Sequence, residues 1–145
     1  MSDIPPLEAR IPEGYRLLPG QGRFSEEAGP FCSRKLPDGS FTYAFQSHPR
    51  HANGNGRVHG GVLYAFADQF MGLSAGMLMR RMTATVSLKA EYLAPGPIGT
   101  LIEGRCSITR ATRSLVFLRG EVFCRSRTLM TADGIWKVLG SPEKD

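Results

Sequence analysis

The sequence predicts an α+β fold in which a curled antiparallel sheet of about six strands surrounds one long central helix. The first observation is the segment Gly60–Met79, which is apolar on nearly every side and predicts a helix that protein must enclose. The second is that two strand-like segments precede this helix and four follow it. The third is that short connections join the later strands, which favours antiparallel neighbours.

A β-hairpin is predicted ahead of the helix, over residues 30–47. Two strand-like runs flank the turn Pro37-Asp38-Gly39, and this turn chemistry is a strong hairpin signal. Residues 48–58 are rich in Gly and Asn and predict a loop. We expect His48 and His51, which lie in this loop, to be solvated.

Four strands are predicted after the helix, because apolar and polar residues alternate along each segment. They cover residues 83–92, 101–108, 115–125 and 128–139. In the first of them, Val86 and Leu88 belong to the predicted apolar face, and Thr85 belongs to the polar face.

The length of 145 residues suits one domain with a single core. We expect an extended N-terminal arm over residues 1–28 with a short helix near 25–28, a folded domain over residues 29–141 and a tail over 142–145. Three widely spaced cysteines without a CxxC pair argue against a disulfide framework or a zinc knuckle. Because the first residues show no export signal, we predict a cytoplasmic protein.

The chain is basic, with a net charge of +5, which is typical of a solvated basic surface or of an anionic partner. No helix-turn-helix, basic-helix or RNP-like pattern is present, so we predict no nucleic-acid partner and retain a phosphate-bearing small molecule. A membrane span over Gly60–Met79 is disfavoured, because Asp68 near its centre would cost about 2.5–3.5 kcal/mol on insertion. We therefore predict no membrane partner.

Asp68 is the most informative residue, because a carboxylate in an apolar helix is costly unless it is paired or has a function. His59 lies nine residues before it and Asn53 six residues before His59, which gives the pattern N-x(5)-H-G-G-x(6)-D. Two interpretations stay open at this point. Asp68 is either a reactive acid or a structural acid in an ion pair, and Asn53 has either a functional role or a turn role.

Several short segments carry a family resemblance. They are Gly29-Pro30-Phe31, His51-Ala52-Asn53-Gly54-Asn55-Gly56, Val58-His59-Gly60-Gly61-Val62, Asp68 and Tyr92-Leu93-Ala94-Pro95. With the predicted order of strands and helix, they resemble the hotdog fold, and more narrowly the PaaI-like branch of acyl-CoA thioesterases in the 4-hydroxybenzoyl-CoA thioesterase superfamily. The resemblance covers roughly residues 29–140.

The resemblance implies a homodimer with one continuous sheet, often paired into a tetramer, and active sites between subunits. It implies that Asp68 is the base or nucleophile and that the backbone N–H of Gly60 binds the thioester oxygen. It further implies that Asn53 positions water or the thioester and that Thr85 assists. An unpaired sheet edge independently favours an obligate homo-oligomer.

The start of the helix suits an oxyanion, because its first N–H groups lack internal partners and the helix dipole is positive there. We expect His59 to cap this helix start and, with Gly61, to border the substrate. Five arginines at element ends or turns are candidates for the phosphates of coenzyme A. They are Arg57, Arg80, Arg81, Arg110 and Arg113.

The sequence therefore predicts an acyl-CoA thioesterase that releases a carboxylic acid and coenzyme A. We expect no cofactor and no metal, because no His/Cys/Asp spacing resembles a ligand set. The alternatives are a non-catalytic acyl-CoA-binding protein in the same fold and, less favoured, a hotdog hydratase or dehydratase. The separation of His59 and Asp68 along one helix argues against the latter, which pairs such groups.

Overall fold

The computed structural model describes residues 4–140, which form one seven-stranded antiparallel sheet and two α-helices. The strands are β1 (Arg16–Leu17), β2 (Cys32–Lys35), β3 (Phe41–Gln46), β4 (Thr83–Tyr92), β5 (Leu101–Ala111), β6 (Leu115–Cys124) and β7 (Arg127–Val138). The helices are α1 (Gly22–Ala28) and α2 (Gly60–Met79), with 3-10 turns at Leu7–Arg10 and Pro49–His51. The tail expected over residues 142–145 lies outside the described residues.

The predicted helix, the hairpin and the four later strands are confirmed, with bounds that differ by a few residues. One strand was not predicted: β1 lies in the arm and pairs with β2. It has two residues, which is too short for a pattern of alternation to reveal it. The arm also contains α1, which is longer than the short helix expected near 25–28.

The order of strands in the sheet is β1-β2-β3-β5-β6-β7-β4. The strand that follows α2 in the chain, β4, therefore lies at an edge and pairs only with β7. Its outward edge carries unpaired backbone groups, which are a template for pairing with another strand. Large apolar side chains lie beside this edge: Val86 is 59% exposed and Met82 is 71% exposed.

Helix α2 packs one side against the concave face of the sheet. Phe66 and Phe70 are fully buried there, and the ring of Phe70 stacks on Tyr43 at a centroid distance of 4.8 Å. Burial of each such side chain contributes about 1.5–3 kcal/mol. By length and hydropathy α2 could cross a membrane, but in this fold it is the core helix. The C-terminal end of α2 is not covered, since Met77 and Leu78 are 43% and 51% exposed.

A β-bulge at Val86 corrects the predicted face of β4. Thr85 lies opposite Trp136 and Ser87 opposite Ile135, so Val86 is an extra residue in the pairing with β7. The bulge reverses the alternation, so Thr85 lies on the inner face before it and Leu88 lies on the inner face after it. The prediction of a single apolar face through Val86 was wrong.

The expected solvation of His51 is also wrong, because His51 is only 3% exposed. Its Nδ1 accepts the N–H of His48 at 3.0 Å, and its Nε2 bonds the carbonyl of Ala28 at the end of α1 at 2.7 Å. The 3-10 turn therefore holds the arm against the domain. Burial lowers the pKa of His51 to about 4, with a smaller contribution from Arg50.

We predict that acidification destabilises the fold through His51. The unfolded side chain titrates near 6.5 and the folded one near 4, so the unfolded state binds more protons between these values. The free energy of unfolding should fall as pH drops from 6.5 to 4, by at most roughly 3 kcal/mol from this group. Urea unfolding at a series of pH values measures it.

The matched variants are His51→Gln, which removes the titrating ring, and His48→Gln in the same turn. The loss of stability on acidification should be smaller in His51→Gln than in the wild type, and the reduction should be larger in His51→Gln than in His48→Gln. An equal loss in all three proteins would contradict the assignment.

Candidate active site

Asp68 lies in the third turn of α2 and is half-buried. The hydroxyl of Thr85 donates a hydrogen bond to Asp68 Oδ1 at 2.7 Å. Among residues 4–140, no basic side chain forms an ion pair with this carboxylate. The alternative of a structural acid held in an ion pair is therefore not supported, and the carboxylate keeps oxygen lone pairs for a substrate or water.

Thr85 reaches Asp68 because of the bulge in β4. Next to it, the hydroxyl of Thr83 donates to the carbonyl of Gly72 at 3.1 Å, so two threonines on the inner face of β4 bind α2. A regular strand with Val86 inward would turn both hydroxyls away from the helix. Bulges often redirect a side chain next to an active site in this way.

A cleft of about 690 Å³ opens beside Asp68 and Thr85. Its walls come from the exposed end of α2, the start of β4, Trp136 of β7 and two residues of the arm. The lining residues are Pro19, Gly20, Asp68, Gln69, Gly72, Leu73, Gly76, Met77, Arg80, Arg81, Met82, Thr83, Thr85 and Trp136. The cleft thus combines one carboxylate, an apolar wall and two arginines.

The N-terminus of α2 offers one open donor. His59 caps the helix as predicted, because its Nδ1 accepts the N–H of Gly61 at 2.8 Å. This bond occupies the N–H of Gly61, whereas the N–H of Gly60 has no acceptor within the described part of the chain. The phenol of Tyr92 donates to the carbonyl of Gly60 at 2.8 Å and holds the helix start in place.

A second cleft, of about 380 Å³, surrounds this helix start. Asn53, Arg57, Gly60 and Tyr92 line it. The side-chain oxygen of Asn53 accepts the N–H of Asn55 at 2.9 Å and that of Arg57 at 3.2 Å, which accounts for the turn role. Its amide NH₂ makes no hydrogen bond within residues 4–140, so a functional role for this donor stays a prediction.

Seven of the eleven predicted site residues fall into two separate groups within one subunit. Asp68 and Thr85 lie in the first cleft with Arg80 and Arg81, whereas Gly60 lies in the second cleft with Asn53 and Arg57. Asp68 lies eight positions after Gly60 in the helix, which is about 12 Å along the axis. The other four line neither cleft: Arg110 and Arg113, near the turn between β5 and β6, and His59 and Gly61, at the start of α2.

Sequence reasoning missed several residues of the first cleft. Gln69 and Gly72 lie within the predicted apolar helix, and Trp136 lies within the last predicted strand. Pro19 and Gly20 lie in an arm with no recognisable pattern. None of these residues carries a sequence signal, because their positions depend on how the arm and β7 pack against α2.

Comparisons with known proteins agree with this architecture. A model of the thioesterase superfamily matches residues 55–131, just over half of the chain. A curated Pseudomonas aeruginosa protein named "Putative esterase PA0474" is 24% identical over 130 residues, covering 87% of this chain and 96% of that protein.

Two solved structures are 26% identical to this chain. One is a mutant of the phenylacetic acid degradation protein PaaI from Thermus thermophilus, with a TM-score of 0.71, covering 80% of this chain and 98% of that one. The other is the BH2602 protein from Bacillus halodurans with CoA, with a TM-score of 0.70, covering 75% and 74%. Both the predicted hotdog fold and the PaaI-like resemblance are confirmed, and the chain belongs to the thioesterase superfamily.

Proposed function

We propose that this protein is an acyl-CoA thioesterase whose active site is shared between two subunits. The observation that carries the proposal is the unpaired carboxylate of Asp68, bound by Thr85 in a cleft with an apolar wall. This carboxylate is one half of the proposed active site. The other half is the open N–H of Gly60 at the start of α2. Since these halves lie in different clefts of one subunit, a second copy has to bring them together.

The unpaired edge of β4 supports such a pairing. Two copies joined edge to edge would extend the sheet and cover the exposed apolar residues Met82, Val86 and Leu93. A two-fold axis would set the two α2 helices side by side in opposite directions. The N-terminus of one helix would then face the middle of the other, where Asp68 lies.

In the proposed reaction, water or the carboxylate attacks the thioester carbonyl. If Asp68 is the general base, it takes a proton from water as the oxygen adds to the carbon; the C–S bond then breaks and coenzyme A leaves as a thiolate that gains a proton. If Asp68 is the nucleophile, it displaces the thiolate to form an anhydride, which water hydrolyses. In both routes the Gly60 N–H stabilises the oxyanion, and Thr85 orients Asp68.

Coenzyme A is the proposed carrier of the acyl group. Arg80 and Arg81 border the first cleft and Arg57 borders the second, and all three are exposed. Guanidinium groups bind phosphate through a planar fork, and coenzyme A carries several phosphates. The similar Bacillus halodurans protein was solved with CoA, which adds support. We propose a cytoplasmic location, because the three widely spaced cysteines suit a reducing compartment in which thiols stay unpaired.

The first prediction from the proposed function is that Asp68→Asn abolishes thiol release from acyl-CoA. Asn keeps the shape but neither accepts a proton nor attacks, so the turnover number should fall by about 10²–10⁴. The assay incubates the protein with a panel of acyl-CoAs and a thiol-trapping dye. The matched control is Asp133→Asn, which removes only an exposed ion pair with Arg119 and should leave the turnover number unchanged. Tight binding without thiol release by the wild type would favour the acyl-CoA-binding alternative.

The second prediction isolates the N–H of Gly60. Proline is tolerated as the first helical residue, and His59 before it has the extended ψ of 132° that proline requires. Gly60→Pro removes the donor and should lower the turnover number by about 10²–10³. Gly60→Ala keeps the N–H and adds a similar Cβ beside the Tyr92 ring, so it is the matched control. Equal losses in both variants would assign the effect to crowding instead of the hydrogen bond.

The third prediction tests whether two subunits share the site. Asp68→Asn and Gly60→Pro, each inactive alone, are mixed, unfolded and refolded together. Half of the dimers should then be mixed, and each mixed dimer should contain one intact site, so about a quarter of the wild-type activity should return. An inactive mixture that nevertheless contains mixed dimers would place the site within one subunit.

A further inference from the structure

The N-terminal arm forms part of the wall of the Asp68 cleft. Pro19 and Gly20, which precede α1, line this cleft together with Asp68 and its neighbour Gln69. Both arm residues are exposed at the cleft surface. Leu73 and Met77 of α2 contribute an apolar wall to the same cleft, which Arg80 and Arg81 also border. A wall of this kind suits a hydrocarbon group better than a polar one.

A hydrogen bond attaches the arm directly to the central helix beside the carboxylate. Ser25 of α1 is only 5% exposed, and its hydroxyl donates to Gln69 Oε1 at 2.8 Å. Gln69 is the residue after Asp68 in α2. The arm is therefore fixed to the helix at the level of the reactive carboxylate.

A second attachment holds the other end of α1. The Arg50 guanidinium donates to the carbonyl of Gly29 at 2.5 Å and to that of Glu27. His51 bonds the carbonyl of Ala28 at 2.7 Å. Three consecutive carbonyls at the end of a seven-residue helix are thus bound by the turn Pro49–His51, which does not line the cleft.

We propose that the arm over residues 18–29 is the element that limits the size of the acyl group. The inference rests on the proposed thioesterase function. The acyl chain lies between Pro19 and the apolar side of α2, and the two attachments keep this wall at a set distance from Asp68. Ser25, Gln69 and Arg50 are then positioning residues, and Pro19 is the residue that determines acyl length.

The experiment changes the arm in opposite directions and measures a series of unbranched acyl-CoAs, from butanoyl-CoA to hexadecanoyl-CoA. Pro19→Trp should narrow the cleft and lower kcat/KM for the longest substrates by about tenfold or more relative to the shortest. One extra or missing methylene in an apolar pocket changes kcat/KM by about 10–200-fold. Arg50→Gln should release the end of α1 and raise the ratio of long to short substrates severalfold. Arg50 does not line the cleft, so this variant acts only through the position of the arm.

Two controls belong to this design. Pro19→Ala removes the proline ring without adding bulk, and Glu26→Ala changes an exposed residue of α1. Neither should reduce the preference for long chains. Thermal unfolding of each variant verifies that the domain is folded, and opposite shifts in chain-length preference cannot come from a general loss of stability. Equal changes for all chain lengths in Pro19→Trp would overturn the proposal, since Pro19 would then not contact the end of the acyl chain.

A binding measurement separates this proposal from the proposed function. The same arm variants are made in the Asp68→Asn background, and the Kd of each acyl-CoA is measured by calorimetry. If the wild type binds but does not hydrolyse, the thioesterase function is wrong, and a chain-length shift in Kd still supports the arm as the wall. If turnover occurs but neither Kd nor kcat/KM shifts with chain length, the arm proposal is wrong. A wild type that neither binds nor hydrolyses acyl-CoA contradicts both.

Discussion

The structure depends on one constraint: a helix that is apolar on nearly every side has to be covered, and one sheet covers only one of its sides. The sheet meets α2 through Phe66, Phe70 and Met71, which are fully buried. The far end of α2 and the edge strand β4 stay open, with Met77 and Val86 exposed. Apolar area of this kind drives association. The same feature that completes the core of one subunit therefore favours a second subunit.

The same constraint determines where α2 presents its donor and its carboxylate. Gly60 has its donor at the helix terminus, where N–H groups are open, and Asp68 lies about two turns further on, where the sheet leaves α2 partly uncovered. A rigid helix cannot bring these two residues to one carbonyl group. It can present one residue to each of two clefts, so that two antiparallel helices would complete two equivalent sites. The proposed division of the site between subunits would then be a consequence of helix geometry.

The fold could be predicted further than the site. The helix Gly60–Met79 and the β-hairpin depend on local patterns, and both were identified from the sequence. The inward direction of Thr85 depends on the bulge at Val86, which arises from pairing with β7 and has no local signature. The burial of His51 depends on contact with Ala28, in an arm that sequence periodicity does not describe. Local patterns therefore predict elements, whereas long-range pairing decides which side chains meet.

The residues of the proposed chemistry and the residues of the arm lie in different parts of the chain. The superfamily match spans residues 55–131 and contains Gly60, Asp68 and Thr85, which carry the proposed chemistry. Pro19 and Arg50 lie before it. Pro19 belongs to the arm, which is joined to α2 through Ser25 and Gln69, and Arg50 lies in the turn that binds the end of α1. A chemical step needs the same donor and carboxylate for any thioester, whereas the acyl group differs between substrates. An arm outside the shared region can therefore change the size of the cleft without disturbing the carboxylate or the helix terminus that act on the thioester.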